Sequence, residues 1–439
     1  MKQHPPFPDQ PDFNRRDFLR GGSFAALMAL MGGVEISGQD APKTLAVPKK
    51  DPNYKEKPPS PPVNFGVIGL GAWGREILAT LSRLPNAPVV AVSDMYATSL
   101  RRSGEVAPKA GKHEDYRKVL EQKDVQAVVI ATPSHLHREV AIAALQAGKH
   151  VYCEAPLAAS IDDARAIAQA ARGAARQIFQ VGQQYRANPQ HHHVLNFVRS
   201  GAAGKLTFAR SQWHKKQSWR RASPNNEREL ALNWRLDPKT SPGLIGEIGL
   251  HQIDVAAWFL RAQPVSVTGF GGVLHWIDGR TVPDTIQAVF EFPGGTRMSY
   301  DSTLTNSFDG NYDLFCGTDA AIIIRENRAW MFKEADSPLL GWEVYARKDE
   351  FFGSGETGIA LVANATKLLA QGLKPAEGAA NSDTPLRYAL AEFIDNISDQ
   401  KAPSCGYKEG FEAAVVALKA NEAITQGTKV TYQKEWFAS

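Results

Sequence analysis

The first half of the chain contains short apolar runs without polar alternation, separated by segments of helical periodicity. The runs cover residues 65–68, 89–92, 127–130, 150–153 and 178–181. Uninterrupted apolar runs are typical of strands that are buried on both faces, and the helical segments between them suit the crossovers of a parallel sheet. Residues 63–185 are therefore predicted to form an α/β domain with a parallel sheet.

The pattern changes to alternation of apolar and polar residues after about residue 186. Alternating segments occur at 206–213, 265–274, 285–292 and 297–305, and a Pro-Gly-Gly turn at 293–295 separates the last two. Two amphipathic helical patterns follow, at 385–398 and 408–425. Residues 186–439 are predicted to form an α+β domain for substrate binding and oligomerisation, with a large, mainly antiparallel sheet.

The amino terminus resembles an export signal. Arg15 and Arg16 precede Phe18 and Leu19 in a twin-arginine pattern, and the mildly apolar run at 21–34 is too short and glycine-rich to span a bilayer. Residues 1–40 are therefore predicted to be a twin-arginine signal peptide that directs the protein to the periplasm. No cysteine follows the apolar run, so no lipid or other membrane anchor is expected.

A proline- and lysine-rich segment at 41–62 follows the signal. This composition favours an extended polyproline conformation. The segment is either a flexible spacer or an arm that wraps the body of the protein or a neighbouring subunit.

Composition narrows the class of partner. The formal net charge is +4, and the basic pairs Lys215-Lys216 and Arg220-Arg221 are too short to form a nucleic-acid-binding stripe. Three widely spaced cysteines provide neither a disulfide framework nor metal-ligand spacing. The expected partner is a small molecule and not a nucleic acid.

A glycine-rich loop directly follows the first apolar run and opens a helix. Gly69 permits a tight turn, Gly71 lets the backbone approach a pyrophosphate, and Gly74 lets helix and strand pack closely, while the helix amino terminus offers N–H groups to the anion. Together with the intervening Ala72 and Trp73, these residues are predicted to bind the pyrophosphate of a dinucleotide.

The residue that ends the second predicted strand indicates which dinucleotide is bound. Asp94 can accept hydrogen bonds from the adenosine ribose hydroxyls and repel a 2′-phosphate, which favours NAD over NADP. Arg101 and Arg102 lie close behind it and could accommodate a phosphate. Twin-arginine export carries folded proteins, so the cofactor is expected to be loaded before export and held tightly.

Later motifs resemble the glucose-fructose oxidoreductase and inositol dehydrogenase family, Gfo/Idh/MocA, from about residue 64 to the carboxyl terminus. The segments that carry the resemblance are residues 130–137, 147–156, 181–189, 200–205, 233–235 and 246–254. The resemblance implies a Rossmann domain followed by an α+β domain, and a homo-oligomer formed through the antiparallel sheet.

The same resemblance implies roles for individual residues. Glu154 is expected to contact the nicotinamide ribose. The further cofactor-binding positions are Thr132, Pro133, His135, His137 and Gln183. His251 is expected to act as the base, with Glu247 or Asp254 to orient or polarise it. Tyr185, Arg186, Trp234 and Arg235 are expected on the substrate side.

Three positions depart from the family pattern. Ala155 stands where the dehydrogenases of the family carry lysine, Glu247 where aspartate is frequent, and Ser134 where asparagine is common. The missing lysine normally orders or tunes the proton relay at the substrate hydroxyl, and alanine cannot replace it.

Aromatic and basic residues precede the histidine segment, including Trp213, Trp219 and Lys215. Indole rings stack on the apolar faces of sugars, and cationic groups bind hydroxyls and carboxylates, so a pocket for a carbohydrate or sugar acid is expected, although the same residues could cover a sheet edge. The three histidines at 191–193 would point in different directions around a helix start, so no metal site is expected.

These observations favour an NAD-dependent oxidoreductase that acts on a CH–OH group of a sugar, glycoside or cyclic polyol. One alternative is an NAD-dependent, redox-neutral glycoside hydrolase, in which the hydride returns to the same molecule. A further alternative is a sugar-binding protein without catalysis, for which Ala155 is the only support.

Overall fold

The structure is a computed structural model that describes residues 58–340, 343, 348–351, 355–363 and 383–439. The twin-arginine pattern and residues 41–57 of the proline-rich segment lie outside the described residues. Two sheets with their helices make up most of the described residues.

The first sheet has six parallel strands in the order β3-β2-β1-β4-β5-β6. The strands are β1 (Phe65–Ile68), β2 (Val89–Ser93), β3 (Gly111–His113), β4 (Ala127–Ile130), β5 (His150–Cys153) and β6 (Phe179–Val181). This is the strand order of a dinucleotide-binding Rossmann fold, in which ligands bind at the carboxyl ends of the strands where the order reverses. The sequence predicted every strand but β3.

Helices connect these strands and cover both faces of the sheet. They are α1 (Ala72–Ser82), α2 (Ala97–Ser103), α3 (Arg117–Leu120), α4 (His137–Gln146) and α5 (Ile161–Gly173). Helix α5 begins where the Ser160 side chain accepts a hydrogen bond from the Asp163 backbone N–H, and acidic residues in its first turn complement the helix dipole.

The second sheet has ten strands in the order β14-β15-β13-β12-β11-β7-β10-β9-β8-β16. The strands are β7 (Leu206–His214), β8 (Ser266–Gly272), β9 (Thr285–Glu291), β10 (Arg297–Thr303), β11 (Asn311–Gly317), β12 (Ala320–Arg325), β13 (Arg328–Lys333), β14 (Lys348–Glu350), β15 (Thr357–Leu361) and β16 (Val430–Thr431). All neighbours are antiparallel except β7 and β10. The predicted fold class is therefore confirmed.

Five α-helices follow the first sheet in the described residues. They are α6 (Pro189–Arg199), α7 (Asn226–Leu232), α8 (Leu250–Leu260), α9 (Pro385–Asp399) and α10 (Tyr407–Gln426). Side chains of α6, α8 and α10 form one hydrophobic core with the second sheet. This packing holds the start of α8 over the sheet, beside the gap between the two domains.

Helix α9 differs from its expected place in the substrate domain, because it packs against the Rossmann domain. Phe393 lies with its ring centroid 6.1 Å from that of Phe65 and 5.8 Å from that of Tyr152. The apolar face of the helix joins the core on that side of the first sheet. The carboxyl-terminal part of the chain thus returns to the first domain and ties the two domains together. No described helix is long and apolar enough to cross a membrane.

Candidate active site

A cavity of about 1340 Å³ opens at the carboxyl ends of the parallel strands, between the two domains. Thirteen of the residues singled out from the sequence line it: Gly69, Gly71, Ala72, Trp73, Asp94, Thr132, Pro133, His135, His137, Glu154, Trp234, Arg235 and Glu247. The predicted site residues that do not line it are Gly74, Gln183, Tyr185, Arg186, His251 and Asp254.

The glycine-rich loop has the geometry that its sequence predicts. Gly69 adopts a φ of +93°, which favours glycine, and a side chain at Gly74 would collide with the carbonyl oxygen of Gly69. Helix α1 begins at Ala72 with its amino terminus at the cavity. A pyrophosphate placed there would meet backbone N–H groups and the positive end of the helix dipole.

Asp94 holds this loop in place while facing the cavity. Its carboxylate accepts hydrogen bonds from the backbone N–H of Leu70 at 2.8 Å and of Tyr96 at 2.9 Å. Each carboxylate oxygen retains a further lone pair for a ribose hydroxyl. Asp94 is thus both a structural support of the loop and a candidate ribose ligand.

The cavity wall behind the glycine loop contains buried polar atoms without partners. Thr132 Oγ1, His135 Nδ1 and Glu154 Oε1 are all buried and form no hydrogen bond within the described residues. Burial raises the pKa of Glu154 to about 8, although hydrogen bonds from Trp73 and the Ala155 backbone oppose the shift. Unsatisfied buried groups are rare, so a ligand with hydroxyls or an amide fits this wall.

His137 and Gln183 both contact other groups of the protein. The His137 Nε2 lies 3.0 Å from the Thr132 carbonyl oxygen, and Nδ1 lies 3.0 Å from that of Pro156. Gln183 lies behind the wall and accepts a hydrogen bond from the Cys405 thiol. His137 nevertheless lines the cavity, and Gln183 Nε2 is buried without a hydrogen-bond partner among the described residues, so the cofactor contacts that the resemblance implies stay predictions.

Glu247 reaches the cavity from a turn of π-helix, Ile245–Gly249, that precedes α8. It accepts hydrogen bonds from Ser134 Oγ at 2.8 Å and from Arg235 Nε at 3.0 Å. The Glu247 side chain is 3% exposed and that of Arg235 is 41% exposed. Burial raises the pKa of Glu247, and Arg235 and Ser134 oppose this shift. The carboxyl group can therefore exchange protons closer to neutral pH than an exposed glutamate.

His251 lies one turn further along and packs inside the second domain. Its ring is edge-on to Tyr185 with centroids 6.2 Å apart, and Tyr185 in turn stacks on His191 at 4.6 Å. Burial lowers the pKa of His251 to about 4, which Asp254 only partly opposes. His251 is thus a neutral, partly exposed imidazole that does not line the cavity.

Asp254 and Arg186 form a buried ion pair away from the cavity. Arg186 donates from Nε and Nη2 to the two carboxylate oxygens, at 2.8 and 2.9 Å. Their side chains are 4% and 12% exposed. The two groups pair with each other, while Asp254 also raises the pKa of His251, so their expected roles at the base and at the substrate stay predictions.

Trp234 and Arg235, which are expected on the substrate side, both line the cavity. The Arg235 guanidinium lies 4.2 Å from the centroid of the Trp234 ring, and Trp234 packs at 6.0 Å from His135. Ala155 also lines the cavity. Lys215 and Arg221 line it as well, and neither side chain has an ion-pair partner among the described residues.

Sequence reasoning missed two contributions to the cavity. Ser134 was noted only as a departure, and its role appears once Glu247 is seen beside it. Arg228 of α7 packs over Tyr96 at the far end of the cavity. Nothing in the local sequence around Tyr96 or Arg228 indicates this contact between residues that are 132 positions apart.

The run of three histidines faces three neighbours: Tyr185, Trp258 and Phe197. In the described part of the chain no group of three histidine, cysteine or acidic side chains is placed to hold a metal ion.

Comparison with known proteins identifies two family matches. Residues 63–183 match the oxidoreductase family with an NAD-binding Rossmann fold, and residues 191–323 match the GFO/IDH/MocA C-terminal domain. Together they cover more than half of the chain.

Characterised relatives include sugar and polyol enzymes. The levoglucosan dehydrogenase of Pseudarthrobacter phenanthrenivorans is 27% identical over 300 residues, 61% of this chain and 74% of that protein. The inositol 2-dehydrogenase of Rubrobacter xylanophilus is 34% identical over 249 residues, 56% of this chain and 66% of that protein. For several inositol dehydrogenases the match spans little more than half of their length, 54% in some.

Solved structures share the fold. Levoglucosan dehydrogenase in complex with NADH and L-sorbose superimposes with a TM-score of 0.69 at 20% identity, over 85% of this chain and 99% of that one. The aldose-aldose oxidoreductase from Caulobacter crescentus, complexed with glycerol, gives a TM-score of 0.65 at 20% identity, over 84% of this chain and all of that one.

Proposed function

Because the chain belongs to the Gfo/Idh/MocA oxidoreductase family, we propose that it is an NAD-containing oxidoreductase acting on a CH–OH group of a sugar, glycoside or cyclic polyol. The observation that carries the proposal is the continuity of one cavity. The dinucleotide loop lies at one end, and a buried carboxylic acid with a neighbouring arginine and tryptophan lies at the other.

The residues of the cavity fit a dinucleotide. The loop around Gly71 would hold the pyrophosphate, and the unpaired atoms of Thr132, His135 and Glu154 would offer partners for the nicotinamide half. When bound, the nicotinamide accepts or returns a hydride. The carboxylate of Asp94 supports NAD over NADP, because a 2′-phosphate would face its negative charge.

Glu247 is the proposed acid and base. Removal of a hydride from a carbinol leaves a proton on the hydroxyl, so a group within hydrogen-bond reach has to take it. Glu247 lines the cavity and its pKa is raised by burial, whereas His251 and Asp254 do not line it. Ser134 fixes one carboxylate oxygen and leaves its second lone pair for a substrate proton.

Arg235 supplies a positive charge where Ala155 has none. It lies against Glu247 at the cavity, so it stabilises the ionised carboxylate and faces the developing charge on the substrate oxygen. A permanently charged guanidinium cannot itself relay the proton. Proton movement is therefore assigned to Glu247, and charge stabilisation to Arg235.

The substrate space suits a carbohydrate. The Trp234 ring provides a surface for the apolar face of a sugar, and Arg235 provides donors for its hydroxyls. Lys215 and Arg221 add unpaired positive charge to the same cavity. A substrate panel should therefore include sugar acids beside neutral sugars.

Export and tight retention of NAD belong to the same proposal. The twin-arginine pattern at Arg15 and Arg16 supports export of the folded, loaded protein to the periplasm. Free nucleotide is scarce there, so each oxidation has to be followed by reduction of a second substrate that returns the hydride.

Self-association through the second sheet is also proposed. Phe208, Val289 and Phe270 expose apolar side chains on β7, β9 and β8 of the same sheet. Exposed large apolar side chains on one sheet favour a protein interface. Light scattering combined with size exclusion would report the mass, and a monomer would contradict this part.

A redox-neutral glycoside hydrolase is the second candidate. Ala155 lines the cavity and favours this candidate. A reaction that returns the hydride to the same molecule places a different requirement on the proton relay at the substrate hydroxyl, which lysine normally tunes in the dehydrogenases. Release of the aglycone from a glycoside without any net reduction of NAD would support the hydrolase and overturn the oxidoreductase.

The experiment is a panel of sugars, sugar acids, cyclic polyols and glycosides added to the purified, NAD-loaded protein. Absorbance at 340 nm reports reduction of the bound cofactor, and a second addition of a ketose reports its reoxidation. Reduction by at least one CH–OH donor supports the proposal. A loaded protein that none of the donors reduces contradicts it.

A further inference from the structure

The far end of the cavity, which the adenosine half of a dinucleotide would occupy, is walled by both domains. Tyr96 follows Asp94 after strand β2 of the first domain, and Arg228 projects from helix α7 of the second. The Arg228 guanidinium carbon lies 3.8 Å from the centroid of the Tyr96 ring, and both residues line the cavity. A cation at this distance from an aromatic face is attracted to it.

Arg228 has donor capacity that the protein does not use. Its Nε is buried and has no hydrogen-bond partner, and no acidic side chain of the described residues pairs with its guanidinium. The stacked position over Tyr96 holds the group at this end of the cavity, where ribose and phosphate oxygens of a dinucleotide are the matching acceptors.

Helix α7 is held by polar contacts at its middle and just after its carboxyl end, and it contributes no buried residue to the core. Arg220 pairs with Glu229, and the Asn233 side chain exchanges hydrogen bonds with the backbone N–H and carbonyl oxygen of Arg221. None of the seven residues of the helix is buried. Helix α7 can therefore move away from this end of the cavity without disrupting a hydrophobic core.

We propose that Arg228 is a cofactor-binding residue contributed by the substrate domain. Its side chain covers the adenosine half of the dinucleotide together with Tyr96 and slows the release of the cofactor. The inference rests on the proposed function in so far as the cavity holds NAD. It extends that function by assigning retention of the cofactor to a contact between the domains, in addition to the glycine loop.

The test measures NAD dissociation from the full chain, stripped of nucleotide and reloaded, after mixing with excess fluorescent NAD analogue. The variants are Arg228→Ala and Arg228→Lys. The matched control is Glu227→Ala, which changes an exposed charge of the same helix outside the cavity. Arg228→Ala is expected to release NAD about tenfold faster, Arg228→Lys to fall between it and the native protein, and Glu227→Ala to match the native protein.

Association rates and stability separate a clamp from a structural contact. Removal of the Arg228 side chain is expected to leave association as fast or faster, and to leave the melting temperature of the nucleotide-free protein unchanged. Tyr96→Leu is expected to accelerate NAD release as well. Because the two residues form one contact, the double variant is expected to release NAD no faster than the faster of the two single variants. Release from Arg228→Ala at the native rate would overturn the inference while the proposed function stands. A native protein that binds no NAD would overturn both.

Discussion

The buried pair of Arg186 and Asp254 allows a prediction that separates structure from catalysis. Asp254→Ala leaves a guanidinium that is 12% exposed without its bidentate partner. Removal of Asp254 takes away the charge that raises the pKa of Arg186 and leaves burial to lower it, but a guanidinium in a protein still does not lose its proton. The stranded charge must either stay buried or pull solvent into the core.

The expected loss is about 3–5 kcal/mol of unfolding free energy, the range for breaking a buried ion pair by removing one partner. Arg235→Ala is the matched comparison. It leaves the carboxyl of Glu247, which can take up a proton, and it removes a side chain that is already 41% exposed. That substitution should cost about 1 kcal/mol.

The assay is urea unfolding of the nucleotide-free protein, followed by circular dichroism and tryptophan fluorescence. Asp254→Ala should lower the midpoint far more than Arg235→Ala, and Arg186→Met/Asp254→Leu should recover most of the loss because no charge remains buried. NAD retention should be unchanged, since Asp254 does not line the cavity. Equal losses for the two single variants, or normal stability of Asp254→Ala, would refute the reasoning.

Three further predictions concern the cavity. Burial raises the pKa of Glu154 to about 8, so the fold favours the protonated carboxyl over the ionised one. The folded protein therefore loses stability as the pH rises towards and through about 8. The melting temperature of the nucleotide-free native protein should therefore fall relative to Glu154→Gln between pH 5 and pH 9, and a constant difference would contradict the shift. Glu247→Gln should slow reduction of bound NAD by at least about 100-fold with unchanged NAD affinity, whereas a native rate would remove Glu247 as the proton acceptor. Asp94→Ala should weaken NAD binding and narrow the preference over NADP, because both the ribose acceptor and the bond to the Leu70 N–H are lost; titration with both nucleotides reports this, and unaltered affinities would exclude the ribose contact.

Much of the fold follows from local pattern because buried parallel strands need uninterrupted apolar runs. Strand β1 is the continuous run Phe65–Ile68, fully buried, and its position was predicted from these residues alone. Strand β3, Gly111–His113, has no apolar run because it is a short edge strand with partly exposed residues. Its existence depends on pairing with β2, which local pattern does not show.

The candidate site also combines a local motif, which the sequence could predict, with contacts between distant residues, which it could not. The glycine loop is a local motif, so its place and geometry could be predicted. The commitment of Asp254 to Arg186 depends on a partner 68 positions away, and helical spacing around His251 gave no sign of it. The contact of Ser134 with Glu247 links the two domains over 113 positions. Such contacts follow from how the domains pack, and not from periodicity within either.

The most direct test of the account is to purify the mature protein, denature it, and identify the released nucleotide by mass spectrometry. The account predicts close to one NAD or NADH per chain, retained through purification without added nucleotide. A protein that releases no nucleotide and binds no added NAD would contradict the central claim that this cavity holds the cofactor of an oxidoreductase.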